Sequence, residues 1–374
     1  MKIVFTGGGS GGHFYPIIAV AEEVREIAKE EKLVEAKLYF LSTTKYNERA
    51  LFDQGIEFVP VTAGKLRRYF SIKNIPDILK TFWGVLRAIW TLYKIYPDVV
   101  FGKGGHPSFP VLVAARLLRI PIMIHESDTV PGRVNRIASK FATRIAVSYP
   151  ETAKYFDSKK VAYVGNPIRK SMVNLDNAPT DTFLKLEPDV PVILILGGSQ
   201  GAEKINDAIM QMLPQLVSKY QVIHQTGKLH FDSLQSRAGV ILESNDNKNR
   251  YKPLSYLNEK ALVSVASKSS LIISRAGSTI FEIAAWGVAS IIVPIADSNG
   301  DHQRRNAFSY ARSGAAIVVE EKNLSPNILL AEIERVLGDR SVMIQMGEKA
   351  HQFARPDAAH KIAQELIHIS LEHE

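Results

Sequence analysis

Several short stretches of this chain combine residue types and spacings suited to chemistry on a phosphorylated ligand. The most informative is Ser274-Arg275-Ala276-Gly277-Ser278-Thr279-Ile280-Phe281-Glu282. It follows the apolar run Leu271-Ile272-Ile273 and opens a run of helix formers closed by Gly287. A strand, a small-residue turn and a helix start leave backbone N–H groups pointing outward, which suits an anion. Glu282 is placed about two turns into that helix. A carboxylate is the wrong partner for phosphate but suits a neutral diol such as ribose, accepting two hydroxyl hydrogens. Phosphate donors beside a diol acceptor describe a bound nucleotide.

Two glycine-rich loops sharpen that reading. Gly7-Gly8-Gly9-Ser10-Gly11-Gly12-His13, then Pro16 and a helix, fits the dinucleotide fingerprint only weakly. The second strand of such a unit should end in an acidic residue, and here it ends in Ser42-Thr43-Thr44-Lys45, which disfavours nicotinamide. Glycines also let any bulky anion approach the backbone. His13 has the chemistry of a general base, since imidazole titrates near neutrality; a histidine there also caps or packs a helix. Val192-Ile193-Leu194-Ile195-Leu196 followed by Gly197-Gly198-Ser199-Gln200-Gly201-Ala202 makes a diphosphate cradle, or a tight turn packing helix on strand. It is not a P-loop, because the Gly-Lys-Ser/Thr ending is missing. In Asp301-His302-Gln303-Arg304-Arg305-Asn306-Ala307, the amides of Gln303 and Asn306 could bond sugar hydroxyls, or simply begin a polar helix. Arg169, after Gly165-Asn166-Pro167-Ile168, could pair with phosphate. The histidines lack metal-ligand spacing, and no Asp-x-Asp or Gly-x-Ser-x-Gly motif is present.

These motifs need a scaffold, and the apolar runs supply one. Strands are expected at 3–6, 38–41, 58–61, 99–101, 122–125, 145–147 and 162–164. A second series follows at 192–196, 222–225, 271–274, 290–293 and 317–319. Strands alternating with helical patterns predict an α/β fold with parallel, doubly wound sheets. Two series predict two such domains, divided near Gly165-Asn166-Pro167, with an irregular linker at 174–190. Residues 356–374 read as a helix with Ile362, Leu366 and Ile369 on one side. Ligands of open parallel sheets bind beyond the carboxyl ends of the strands. The unusual residues sit in those loops: 7–13, 102–106, 126–128, 197–202 and 275–282.

The chain has 374 residues, room for two domains, and no cysteine, which excludes disulfides and thiolate chemistry. The opening residues run straight into glycines, leaving no signal-peptide core, and no 18-residue apolar stretch reads as a membrane span. The net charge of +8 is uneven: residues 1–165 carry 24 basic and 15 acidic groups, and 60–144 alone carry 14 and 4. Such a basic region is a solvated face, an anionic-membrane face or a nucleic-acid face. Lys65-Leu66-Arg67-Arg68-Tyr69-Phe70 leads into a helix near 75–96. There Phe82, Val85, Leu86, Ile89, Trp90, Leu92 and Tyr93 fall within one half-circle, with Trp83 at its edge. A core-facing stripe needs only about 100°. The excess, flanked by Lys73, Lys80, Arg87 and Lys94, could rest on lipid, or the helix is deeply buried. The region has no recognition-helix motif, which argues against nucleic acid.

Taken in order, GGGSGGHFYP (7–16), KLRRY (65–69), GKGGHPSFP (102–110), HESDTVPGRVN (125–135), GNPIR (165–169), GGSQGA (197–202), SRAGSTIFE (274–282) and DHQRRNA (301–307) resemble the MurG family of bacterial peptidoglycan glycosyltransferases, across nearly the whole chain. The resemblance implies a GT-B fold, two Rossmann-like doubly wound domains facing a cleft. It implies inverting transfer of N-acetylglucosamine from UDP-N-acetylglucosamine to the C4 hydroxyl of the muramyl sugar of lipid I, giving lipid II and UDP. It also implies peripheral attachment to the cytoplasmic face of the cell membrane, with no cofactor and no essential metal. Residues 1–165 would bind lipid I and membrane, 166–343 would bind UDP-N-acetylglucosamine, and 344–374 would pack back toward the first domain.

By the same resemblance, Gly198, Ser199, Gln200, Gly201 and Arg169 would meet the donor diphosphate, together with Arg275, Ala276, Gly277, Ser278 and Thr279. Tyr256 and Leu257 would line the uracil, Glu282 the ribose, and Gln303 and Asn306 the sugar. The acceptor diphosphate would lie on Gly9, Ser10, Gly11, Gly12 and His13 and on Gly104 and Gly105, with His106 and Asn135 nearby. His13, or a carboxylate among Glu126 and Asp128, would be the base. Arg67, Arg68, Phe70, Trp83 and Arg87 would face an anionic membrane. The chain departs from the family pattern in an arginine motif one residue shorter before Thr279, and in His106 where an aromatic residue is frequent. Two rival readings are a GT-B enzyme acting on diacylglycerol and a non-catalytic nucleotide-sugar-binding membrane protein.

Overall fold

The computed structural model of the protein describes residues 1–64, 74–175, 184–198, 201–296 and 298–372. The apolar runs become two all-parallel sheets. The first contains β1 (Lys2–Thr6), β2 (Lys37–Ser42), β3 (Ile56–Pro60), β4 (Val99–Gly102), β5 (Ile122–Glu126), β6 (Arg144–Val147) and β7 (Val161–Tyr163), in the order β3-β2-β1-β4-β5-β6-β7. The second contains β8 (Val192–Leu196), β9 (Gln221–Gln225), β10 (Tyr251–Leu254), β11 (Ser269–Ser274), β12 (Ser290–Ile292) and β13 (Ala316–Val318), in the order β10-β9-β8-β11-β12-β13. Every expected strand is present. β10 was not foreseen: Pro253 interrupts its sequence pattern, and a residue without an N–H is tolerated there because the strand lies at the sheet edge.

The sheets belong to two units, Met1–Arg169 with Arg355–Glu374, and Lys170–Ala354. The chain therefore leaves the first unit after Arg169 and returns to it at Arg355. Position 344 falls inside the helix Arg340–Phe353, which packs on the helix Thr279–Trp286 of the second unit.

Alternation along β1 divides the first unit's core. Ile3 and Phe5 face one side, with the helix Gly11–Glu30 and the returning helix Ala358–Glu372, whose Ile362, Leu366 and Ile369 are buried as the pattern predicts. Val4 faces the other side, with Ala88 and Leu92 of the helix Asn74–Ile95 and with the helix Ser108–Leu117. In the second unit all five residues of β8 are buried, and Ile193 and Ile195 pack with the helices Glu203–Lys219 and Pro326–Leu337.

The helix Asn74–Ile95 is not deeply buried. Phe82, Trp83, Leu86, Trp90 and Tyr93 all stand exposed, Trp83 at 66%. Trp90 stacks on Tyr93, and Lys94 lies 4.9 Å over the Trp90 ring. Arg87 is exposed on the same helix. Arg67, Arg68 and Phe70 lie outside the described residues.

Beneath β8–β10 runs a buried polar chain. Tyr251 donates its hydroxyl to His224 Nδ1 (3.0 Å), His224 Nε2–H donates to Asn206 Oδ1 (2.9 Å), and Asn206 Nδ2 donates to Thr226 O (3.2 Å). That direction follows from the Asn206 amide and requires a neutral ring. Burial agrees, pushing the His224 imidazole down to about 3. The unfolded chain takes up this proton near pH 6.5, while the folded chain resists it until about pH 3. Native stability is therefore lost as pH falls through that window. His224→Gln should be less stable than wild type at pH 7.5 by about 2 kcal/mol. It should also lose less stability between pH 6.5 and 4, as measured by urea unfolding.

Candidate active site

Each sheet reverses its winding at one point, between β1 and β4 in the first and between β8 and β11 in the second. At such a switch point the flanking helices diverge and leave a crevice beyond the strand ends. The glycine loops occupy these two places: 7–10 and 103–107 in the first unit, 197–202 and 275–278 in the second.

In the first unit the two loops fit against one another. A Cβ at Gly105 (φ 82°) would stand 2.7 Å from Gly8 O. Ser42 Oγ, at the end of β2, holds Gly7 O at 2.7 Å. This is the serine that replaces the acidic residue of a nicotinamide site, and its hydroxyl serves the loop rather than a ribose. Ser10 begins the helix Gly11–Glu30 without capping it, and its hydroxyl lies 3.0 Å from His13 Nδ1 instead. Tyr46, at a left-handed φ of 56°, packs its ring on Phe14 and Tyr15 and brings its hydroxyl to Gly11.

Glu126 has a different place from the one expected of a base. One carboxylate oxygen accepts the Asp128 N–H (3.0 Å), and the other accepts the Gly132 N–H and Asn135 Nδ2 (both 2.9 Å). The group is buried. Burial, then the Asp128 charge, pushes its carboxyl up, and the three donors pull it back. Glu126 folds the 127–132 loop. Asn135 is buried as well, donates also to His125 O, and lies against Gly104; its Oδ1 has no partner. Asp128 is half-buried, and His106 sits in the loop after β4. Arg169 closes the first unit with its guanidinium 4.0 Å over the Tyr15 ring.

Lys103 was given no side-chain role by the sequence reasoning. It is 1% exposed, and its ammonium donates a 3.4 Å hydrogen bond to Asn166 Oδ1. Burial pushes it down to about 8, against the opposing pull of Glu126 and Asp128. His125 next to it is held well below its usual range by burial and then by the Lys103 charge. The available signal was position: a lysine directly after a buried four-residue strand, between glycines, has no route to solvent.

In the second unit Gly197 is pinned by Gln225 O, and a Cβ at Gly201 (φ 82°) would press to 2.5 Å on Thr226 O. Gly198 and Gly277 have nothing within 4 Å of a Cβ position, so their outer faces are open. Ser199 and Gln200 lie outside the described residues. The helix Thr279–Trp286 opens at Thr279, so Glu282 stands in its first turn rather than two turns in. Ser278 makes no side-chain cap on that helix, and Ala202 makes none on Glu203–Lys219. Asn47, Asn258, Ser325 and Asp339 do cap helices away from the glycine loops. The helix starts that face the switch points therefore present the positive end of their dipoles without a side-chain cap, while the Ile280 and Phe281 N–H groups bond Gly277 O and Ser278 O.

Arg275 points elsewhere than the motif suggested. Its guanidinium donates to Val293 O (3.1 Å) and to Glu321 Oε1 (2.6 Å). Burial alone would raise the Glu321 carboxyl, but the Ala296 N–H and Arg275 together hold it low. Asn306, expected to bond sugar hydroxyls, is buried and donates to Ala276 O at 3.4 Å. The Gln303 amide oxygen accepts Ile295 N–H at 3.1 Å. Leu257 is buried with its N–H on Gln225 Oε1 (3.0 Å), and Tyr256 is half exposed.

Paired glycine loops at the switch points of two Rossmann-like parallel sheets give the GT-B architecture, and the comparisons identify the chain as a glycosyltransferase of that class. Residues 3–147 match the glycosyltransferase family 28 N-terminal domain, and residues 192–362 match its C-terminal domain. The UDP-N-acetylglucosamine--N-acetylmuramyl-(pentapeptide) pyrophosphoryl-undecaprenol N-acetylglucosamine transferase of Clostridium botulinum is 34% identical over 93% of this chain and 94% of its own. That of Treponema denticola is 37% identical over 88% and 86%. The crystal structure of Acinetobacter baumannii MurG superposes with a TM-score of 0.74 at 26% identity, covering 98% of this chain and 99% of that one. A UDP-GlcNAc 2-epimerase from Neisseria meningitidis shares the fold alone, with a TM-score of 0.70 at 15% identity over 98% of this chain and 99% of that one. The chain belongs to glycosyltransferase family 28 and, within it, to the family of these N-acetylglucosamine transferases.

Lys103 yields a stability test. Unfolded, it keeps its proton to about pH 10.5; folded, only to about 8. The native state therefore loses stability as pH falls from 10.5 to 8, and the penalty is fully present at neutral pH. Lys103→Met should be more thermostable than wild type at pH 7.5, by about 3 °C or more. That advantage should shrink as pH rises toward 10.5, as read by calorimetry across the range.

Proposed function

We propose that the chain transfers N-acetylglucosamine from UDP-N-acetylglucosamine to the C4 hydroxyl of the N-acetylmuramyl sugar of lipid I, with inversion, giving lipid II and UDP. The observation that carries this is identity of 34% to enzymes of that name over 93% of the chain, a span that includes both glycine-loop clusters. UDP is assigned to the second unit, its diphosphate at the open faces of Gly198 and Gly277 and its ribose at Glu282. The uncapped helix starts at 202–203 and 278–279 oppose charge growing on the leaving diphosphate, the role otherwise given to a metal ion. The acceptor is assigned to the first unit, its diphosphate over the 9–12 loop.

His13 is assigned as the base. In this role His13 Nδ1–H donates to Ser10 Oγ, and the Nε2 lone pair takes the acceptor's proton. The acceptor O4 loses its proton to this nitrogen as it bonds to the sugar C1, and the C1–O bond to the β-phosphate breaks, its electron pair leaving with UDP. Glu126 is set aside for this role because it is buried and three N–H donors hold it to the 127–135 segment.

Labelled transfer from UDP-N-acetylglucosamine to a lipid I analogue, with a diacylglycerol control and EDTA present, should give product with lipid I alone. Labelling of diacylglycerol instead would reassign the acceptor. His13→Ala should lower turnover by about 10²–10⁴-fold with UDP affinity retained; undiminished turnover would remove His13 from the role.

A peripheral membrane site is assigned to the exposed aromatic face of the helix Asn74–Ile95 with Lys80, Arg87 and Lys94. Among the described residues no helix is long and apolar enough to cross a membrane. Anionic vesicles should co-sediment the protein, less so at high salt. Trp83→Asp with Arg87→Glu should abolish most of that binding, and unchanged sedimentation would exclude this helix as the contact.

A further inference from the structure

Glu321 lies outside every motif singled out in the sequence, in the turn Glu321–Asn323 that follows β13. Its side chain is 9% exposed. Oε1 accepts Arg275 Nη2, and Oε2 accepts the Ala296 N–H at 3.1 Å with Lys204 Nζ at 3.6 Å. Arg275 belongs to the loop after β11, and also holds Val293 O, just beyond β12. Ala296 lies further along that second loop. Lys204 is in the first turn of the helix that follows the glycine loop after β8. β8, β11 and β12 are neighbours in the sheet. One buried carboxylate therefore ties together the carboxyl-end loops of three adjacent strands, two of which flank the switch point.

We propose that Glu321 is a positioning residue for the nucleotide-sugar site, holding the 275–278 loop and the loop after β12 against the start of the helix Glu203–Lys219 through Arg275, Ala296 and Lys204; this rests on the assignment of UDP to the second unit. Arg275 then acts through Glu321 and not on the diphosphate. The three contacts differ in kind. The Arg275 pair is close and largely buried, whereas Lys204 is mostly exposed and more distant. The guanidinium and the Ala296 N–H fix the frame, and Lys204 completes it from the rim.

The test is steady-state transfer by the full chain, with UDP affinity measured beside it by calorimetry. Glu321→Gln keeps the size and an acceptor for Ala296 but loses the charge. It should raise the KM for UDP-N-acetylglucosamine and weaken UDP binding by about 10-fold. The kcat should stay within about 3-fold, and the KM for the lipid I analogue should not change. Arg275→Gln should match it, and the double variant should be no worse than the weaker single one. If Glu321→Gln does not fold, Arg275→Lys carries the test, because it keeps the charge, loses the forked geometry and should show a smaller rise confined to the donor. Unchanged donor KM and UDP affinity would overturn the proposal, as would equal losses for donor and acceptor, which general loosening of the fold would produce. No UDP binding by the unmodified chain would overturn the assignment beneath it, and this inference with it.

Discussion

A parallel sheet brings all its strand ends to one side, and at one place in each sheet the covering helices turn away from each other. This constraint governs everything else in the molecule. It fixes where the winding reverses and a crevice opens in each unit, between β1 and β4 and between β8 and β11. It also requires that the chain emerging there be small, since loops from two neighbouring strands share the space. Ser42, Asn135, Gln225 and Asn306 then act as loop holders, each bonding backbone groups near a switch point.

Both units complete this arrangement with a buried carboxylate. Glu126 accepts two backbone N–H groups and an amide in the first, and Glu321 accepts a guanidinium and a backbone N–H in the second. A carboxylate in dry surroundings is stable only when donors surround it, so each one gathers chain around itself. The negative charge that results sits behind a surface suited to anions. In the first unit Lys103 lies in the same field, with its proton made labile by burial and restored in part by Glu126 and Asp128.

The sequence made the architecture plain because most internal strands carry a short apolar run, even where polar residues flank it as in β9, and because the loops at both switch points are marked by glycine. β10 escaped because a proline stands in a four-residue edge strand. The helix Asn74–Ile95 was ambiguous, since a wide apolar arc looks the same whether it meets protein or lipid; only packing decides that. At the candidate site, residue types were legible but directions were not. Arg275, Asn306 and Glu126 all have the chemistry of ligand contacts, yet each is turned toward neighbouring backbone or side chains. Glu321 and Lys103 were invisible as site residues because their importance comes from contacts or burial that arise only on folding.

The mutual fit of Gly8 and Gly105 has an evolutionary and engineering side. These residues come from loops about a hundred positions apart; a side chain at 105 would strike Gly8 O, and one at position 8 would strike Ser42 Oγ and crowd Pro107 of the second loop. The two loops therefore behave as one inherited unit. Variation at position 105 is constrained by the backbone of the 7–10 loop. A chimera that imports new acceptor preference through one loop alone would carry a mismatched seam, and transplanting both loops together, with Ser42 and Asn135, preserves it.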